Sequence, residues 1–254
     1  MMINEPFAAG TSFVHQIDPR IRVVAALLYS LVVAVATQFT ALLFALGLSL
    51  ILVGLAHIPL RRLLKRFIWV NGFILLLWVI VPLTFEGRAL LHIGPLAVTA
   101  PGVILCARIT LKSNAILLTL IALVATMSIA TLGHSLNQLR VSGKIVHLFL
   151  TAYRYVFVLE EEYLRLLRAI KIRAFKPKTS LHTYRTYAYL LGMIFVRADA
   201  RAERVYQAMQ CRGFKGRFYC LQPFAATPWN WVFGSVTTVM ILAIALLNWK
   251  ELFR

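Results

Sequence analysis

Acidic side chains are scarce: nine Asp and Glu stand against 27 Lys and Arg, a formal net charge of +18. Charge of either sign is also sparse, at 14% of residues against the roughly 25% usual for soluble domains. No carboxylate falls inside any long apolar run, which argues against a proton relay through a membrane. Cysteine is nearly missing. Cys106, Cys211 and Cys220 form no CxxC pair and are odd in number, so they are small hydrophobes rather than a disulfide framework. The six histidines (His15, His57, His92, His134, His147, His182) are dispersed with no HxxxH or Cys/His spacing, so no metal centre is expected within the chain. Gly143-Lys144 is followed by Ile145 rather than Ser or Thr and lacks the preceding glycine, which excludes a phosphate loop. No Ser-His-acid set is visible, and the first residues, 1–16, have no apolar core of a cleavable signal peptide.

What is abundant is apolar sequence: 60% hydrophobic residues and a mean hydropathy of +0.78. Val23 to Leu60 contains no Asp, Glu, Lys or Arg. As a single helix it would run about 57 Å, nearly twice a bilayer core of about 30 Å, so it is expected to be two spans turning near Gln38-Phe39-Thr40. Phe67–Phe85, Ser113–Gly133 and Leu221–Trp249 supply three more charge-free runs. The expectation is an all-α polytopic membrane protein with about five transmembrane helices. Its parts are an N-terminal membrane region 1–133, a polar insert 134–222 and a C-terminal span within 223–254. Arg108 and Lys112, four apart on one helical face, mark 102–112 as an interfacial helix leading into the fourth span.

Basic residues set the orientation. Arg20 and Arg22 precede the first span and Arg61, Arg62, Lys65 and Arg66 follow the second, whereas the loop 86–102 has only Glu86 and Arg88. The N-terminus and the insert are therefore expected in the cytoplasm, with 86–102 and the tail Lys250–Arg254 outside. The insert holds sixteen of the basic residues and five acids. Leu159, Tyr163, Leu166 and Ile170 recur at helical spacing, as do Leu190, Ile194, Ala198, Ala202 and Val205. Glu161 precedes Arg165 by four, the favourable order for a helix pair. Two long amphipathic helices result, joined by a turn at Lys176-Pro177-Lys178-Thr179-Ser180. Glu160-Glu161-Glu162 is a solvated or intra-domain pairing face; Tyr153, Tyr155 and Tyr163 are core or interfacial aromatics. Lys144, Arg185 and Lys215 suit anionic headgroups.

One pattern occurs twice, 39 residues apart. Ala169-Ile-Lys-Ile-Arg173-Ala174-Phe175-Lys176-Pro177-Lys178 and Ala208-Met-Gln-Cys-Arg212-Gly213-Phe214-Lys215-Gly216-Arg217 each end a helix-patterned segment on Arg, a small residue, Phe and Lys, with a further basic residue two positions on. Headgroup binding accounts for neither the matched flanks nor the small residue. An arginine fork beside an apolar anchor suits a protein interface with carboxylates. Duplicate tips suit a partner that offers two equivalent sites.

These residues resemble a family. His15-Gln-Ile-Asp18-Pro19-Arg20 is similar to the H-x-L-D-P-R entry motif of the transmembrane T components of energy-coupling-factor (ECF) transporters. The Arg tips resemble that family's paired A-R-A and A-R-G coupling motifs, with Ile172 and Cys211 where the family usually has Ala. The stretch Arg197–Gly216, with Arg197, Arg201, Glu203 and Arg204 supporting the second helix, is similar to the cobalt/nickel, CbiQ-type branch. The resemblance implies a non-catalytic subunit of a bacterial inner-membrane importer. It joins two ABC-type ATPase subunits, which carry ATP and Mg, to a metal-binding membrane subunit that takes Co2+ or Ni2+, with a small accessory membrane subunit as a further possible companion. Arg173, Ala174, Phe175, Arg212, Gly213 and Phe214 would dock one tip per ATPase; the chain itself would hold no cofactor and bind no nucleic acid. The alternatives are a T component serving vitamin-binding subunits and, from another class, an integral-membrane lipid enzyme.

Overall fold

The computed structural model describes residues 12–84, 89–93, 96–215 and 228–250. Expectations for Cys220, for the Gly216-Arg217 end of the second tip, for the start of the fifth run at 221–227 and for the tail beyond 250 lie outside the described residues. The chain divides into two compact units at 135/136 and 223/224, one holding the apolar helices and the other the basic insert.

The apolar unit opens with α1 (Phe13–Gln16), followed by α2 (Pro19–Val35), α3 (Phe39–Leu55), α4 (Leu60–Thr84), α5 (Ala100–Leu123) and, late in the chain, α9 (Pro228–Lys250). Asp18 starts α2 by accepting the Arg20 N–H at 3.0 Å, and Pro19 occupies the first turn, where its missing N–H costs nothing. The first charge-free run is thus two helices of 17 residues each, parted by Ala36-Thr37-Gln38. Leu63–Thr84, Ala100–Leu123 and Trp229–Asn248 are long and apolar enough to cross a membrane, and α3 is a shorter apolar helix. The protein is all-α in class, with one exception inside the expected 86–102 loop. There β1 (Ala89–Ile93) pairs antiparallel with β2 (Leu96–Thr99).

The core lies in two patches. Ala25, Ala26, Leu52, Ala56, Leu118 and Ala122 pack with Val14 and Phe233; Tyr29, Val33, Ala41, Leu42, Ala45 and Ala115 pack with Ile241 and Ile244. The many alanines let backbones approach closely, as bundles without a hydrophobic drive between helices require. Gly102 serves the same end: a Cβ there would lie 2.8 Å from the Pro82 Cα and 3.2 Å from the Val81 carbonyl oxygen.

Two boundaries differ from the sequence reading. No interfacial helix separates at 102–112, because Ala100–Leu123 is one helix. Its two cations have contacts at the far end of the α2–α3 hairpin: Lys112 Nζ donates to the Ala34 carbonyl at 2.8 Å, and the Arg108 guanidinium lies 5.3 Å over the Phe39 ring. The fourth run does not continue to Gly133 either. α5 ends at Leu123, a turn follows, and α6 (Ile129–Gln138) starts where Ser128 Oγ accepts the Thr131 N–H at 3.1 Å.

The basic unit is built on α7 (Gly143–Ile172) and α8 (Leu181–Cys211), 30 and 31 residues long, or about 45 Å each at 1.5 Å per residue. Within α7 and α8 only Val146, Glu162, Thr183 and Leu190 are buried. Ser180 caps α8 by accepting the Thr183 N–H, so the connecting turn ends where the sequence places it.

Candidate functional site

Both tip motifs close their helices in the same way. Arg173 is the C-cap of α7 and Arg212 the C-cap of α8. After each Arg the backbone turns left-handed, with φ of 59° at Ala174 and 75° at Gly213. The Ala174 N–H then reaches the Lys171 carbonyl at 3.0 Å and the Phe175 N–H the Ile170 carbonyl at 3.2 Å. In α8, Gly213 N–H bonds Gln210 O at 2.9 Å and Phe214 N–H bonds Met209 O at 3.1 Å. This pair of bonds is the Schellman termination, which needs a residue tolerant of positive φ followed by an apolar one. The small residue after each Arg is therefore set by the backbone turn, and close approach of a partner is not needed to explain it. Sequence reasoning missed that because it weighed the motif only as headgroup binding or a protein interface.

The consequence for the side chains is specific. Arg173, Ala174, Arg212 and Gly213 are exposed, while Phe175 and Phe214 are half-buried. Phe175 folds back onto its own unit, with ring centroids 6.0 Å from Tyr187, edge to face, and 6.2 Å from His182. The aromatic thus anchors the tip to α8 and leaves the guanidinium facing out. Ile172, the departure from the family's Ala, is 86% exposed beside Arg173, and Cys211 is exposed beside Arg212. An arginine at a helix C-terminus faces the negative end of the helix dipole, which favours its charge there.

Ala174 carries a Cβ into a conformation that glycine adopts freely. Ala174→Gly is expected to tighten the α7 terminus by about 0.5–1 kcal/mol, and Gly213→Ala to loosen the α8 terminus by about 1 kcal/mol. Among the described residues no atom lies within 4 Å of a Cβ placed at Gly213, so the second effect is backbone strain. Hydrogen exchange at Phe175 and Phe214 should slow in the first variant and speed up in the second; no change in either would refute the cap.

Behind the tips, α7 and α8 are clasped at Glu162. The carboxylate is buried and receives Arg165 at 3.1 Å from its own helix and Arg197 from α8. The expected Glu161–Arg165 pair is replaced by Glu162–Arg165, because Glu162 faces α8 whereas Glu161 points to solvent. Arg197 is thus in the clasp; Arg201 is half-buried and adds positive potential at Glu162; Glu203 and Arg204 are exposed. The Arg197 hydrogen bond, reinforced by the charges of Arg165, Arg197 and Arg201 and opposed by burial, holds the Glu162 carboxyl below the usual carboxylate range. A depressed folded-state value stabilises above the unfolded carboxyl value of about 4.3 and is lost as pH falls through the folded value. Glu162→Gln should therefore melt the basic unit earlier at pH 7, and the gap from wild type should close on acidification. A gap unchanged at pH 3 would rule the clasp out.

The N-terminal motif forms a knot in the apolar unit. His15 Nδ1 lies 2.6 Å from Ser12 Oγ, the Asp18 N–H donates to Asn230 Oδ1 at 3.1 Å, and Arg20 Nε is 3.9 Å from the Asp18 carboxylate. Asp18 and Pro19 thus start α2 and tie it to the beginning of α9. Sequence reasoning missed Arg22, which it counted only among the basic residues that precede the first span. Arg22 is 2% exposed; its Nε donates to the Leu123 carbonyl at 3.1 Å and its Nη2 to Thr126. The signal was present: Arg22, Ala25, Ala26, Tyr29 and Val33 make one helical stripe, all buried.

No group of three or more His, Cys, Asp and Glu able to hold a metal occurs among the described residues. The chain matches the CbiQ family, described as cobalt transport protein, over residues 10–220. It is 31% identical to the energy-coupling factor transporter transmembrane protein EcfT of Bacillus subtilis, with 85% of each chain covered. It is 27% identical to the EcfT proteins of Listeria innocua, over 98% of this chain and 97% of that one, and of Acidaminococcus fermentans, over 82% and 81%. These three relatives are named as transmembrane proteins of energy-coupling factor transporters, not as enzymes. With its apolar helices and its duplicated arginine-capped tips, the chain belongs to the CbiQ family and is a transmembrane T component of an ECF transporter.

Proposed function

We propose that this T component couples ATP hydrolysis to import of cobalt or nickel ions across a bacterial inner membrane. Two ABC-type ATPase subunits, carrying ATP and Mg, each receive one tip, Arg173 in one and Arg212 in the other. A substrate-binding membrane subunit, with or without a small accessory membrane subunit, takes the metal. The basic unit faces the cytoplasm. The observation that carries this reading is the pair of identical helix terminations in one chain, each leaving an Arg exposed at the end of a helix of about 45 Å. Two like tips match two like sites, and Arg offers a planar fork to acidic side chains in a groove. The Glu162 clasp lets displacement of one tip be passed to the other helix instead of being lost in bending.

The described membrane helices contain no acidic residue, whereas Arg22, Arg108 and Lys112 lie along α2 and α5. That charge pattern disfavours a cation path through this chain and favours metal binding by a companion subunit. The name of the matched family supports the metal branch over vitamin-binding companions. Purification of the complex from native membranes tests the whole reading. It should bring down two ATPase copies and a membrane subunit that retains cobalt or nickel. Recovery with a vitamin-loaded subunit would shift the substrate, and recovery without ATPases would end the coupling role.

A further inference from the structure

We infer that Arg108 and Lys112 form a binding site for the phosphate of a phospholipid headgroup, in the leaflet at the α2–α3 turn. The inference rests on the membrane placement of α2–α5 and not on the coupling role. The two cations are one turn apart on α5, where like charges repel and a shared anion relieves them. No acid occurs in α2, α3, α4, α5 or α9, so no described membrane helix supplies that anion. Lys112 spends one N–H on the Ala34 carbonyl at 2.8 Å and has further donors to give. Arg108 is held by the Phe39 ring at 5.3 Å, while its Nε is buried with no hydrogen-bond partner, a donor that a ligand would satisfy.

The depth suits a headgroup. Ala34 is in the last turn of α2 and Phe39 begins α3, so the pair lies level with the turn between them. Thr37 N–H donates to Asn248 Oδ1 at 3.0 Å, bringing the end of α9 to that same level. Three helices thus end or turn beside these cations, as expected at a membrane–water boundary. Trp78, 42% exposed, donates its indole N–H to Thr110 at 2.9 Å between the two positions, in the manner of an interfacial tryptophan. Leu31 and Leu28, one and two turns from Val35 toward the start of α2 and so toward the bilayer interior, are 56% and 43% exposed. A lipid alone offers phosphate to the cations and acyl chain to these neighbours. Free phosphate lacks the chain, and a protein carboxylate would leave Leu31 and Leu28 to be covered separately.

The test uses the purified, delipidated chain titrated with phosphatidylglycerol, with bound lipid counted by native mass spectrometry. Wild type should hold one lipid more than Arg108→Gln/Lys112→Gln, with apparent affinity at least tenfold tighter. Without any variant, wild type should prefer phosphatidylglycerol over diacylglycerol, its phosphate-free counterpart, by a similar factor. Equal retention by wild type and double variant, or no preference over diacylglycerol, overturns the site. Thermal protection by inorganic phosphate that displaces the lipid would overturn the lipid as its source. Loss of a companion membrane subunit from the double variant, with lipid retention unchanged, would overturn it in favour of a protein carboxylate.

Discussion

A chain with both Arg173→Ala and Arg212→Ala should fold normally, lose its ATPase subunits on purification and take up no metal. Normal folding follows from the surroundings of the two side chains. Both are exposed C-caps, and a cation facing a helix dipole contributes only about 0.3–1 kcal/mol. The terminations themselves are backbone bonds closed by Ala174, Phe175, Gly213 and Phe214, which the substitutions leave in place. Docking is a different matter. Removing one partner of a buried charged pair costs on the order of 2–5 kcal/mol, so each tip should lose roughly thirtyfold or more in affinity. Single variants should reduce ATPase stimulation and uptake, and Arg→Lys should also impair both, because an ammonium cannot reproduce the planar fork. Co-purification with ATPases, scored beside helix content and metal uptake, separates docking from folding. Full uptake by the double Ala chain would remove the tips from the mechanism.

The features legible in the sequence are those with a regular physical signature. Charge-free runs announced α2 and α3, the apolar stretches of α4 and the helix α9, since burial in lipid forbids charge over about 20 residues. Period-3.6 patterns announced α7 and α8. What escaped were places where a local satisfaction overrides the rule. Arg108 and Lys112 read as a separate helix ahead of the fourth span, yet α5 runs straight through them, with Lys112 bonded to the Ala34 carbonyl and Arg108 over the Phe39 ring. The turn after Leu123 has no Gly or Pro to signal it; Thr126, bonded back to Ala122 O at 2.8 Å, and the Ser128 cap take that role. The hairpin had a clue in Gly94-Pro95, a turn dipeptide set in the expected loop. At the tips, composition located the right residues and supplied an incomplete reason for the small one.

Arg22 is where a conservative change should do the most harm to the apolar unit. Its guanidinium is buried with no carboxylate partner among the described residues, and its two bonds go to the last residue of α5 and to the turn that leads into α6. Arg22→Ala removes both bonds, orphans a buried carbonyl and opens a cavity, a combined loss of about 3–5 kcal/mol. Arg22→Met fills the space and sheds the desolvation cost of the charge, so its loss should be smaller, about 2 kcal/mol. Arg22→Lys keeps the charge, strips a more strongly hydrated ammonium of water and cannot reach Leu123 and Thr126 with one rigid fork. Lys should therefore be worse than Met, the reverse of what charge conservation alone gives. Thr126→Val should cost about 1–3 kcal/mol in wild type and almost nothing once Arg22 is Met, since the two share one interaction. Thermal unfolding of the purified chain in detergent gives all five values. A Lys variant as stable as wild type would mean that Arg22 contributes only charge at a helix start. The turn that Arg22 holds leads from α5 into α6, so the same ordering should appear in hydrogen exchange of that turn.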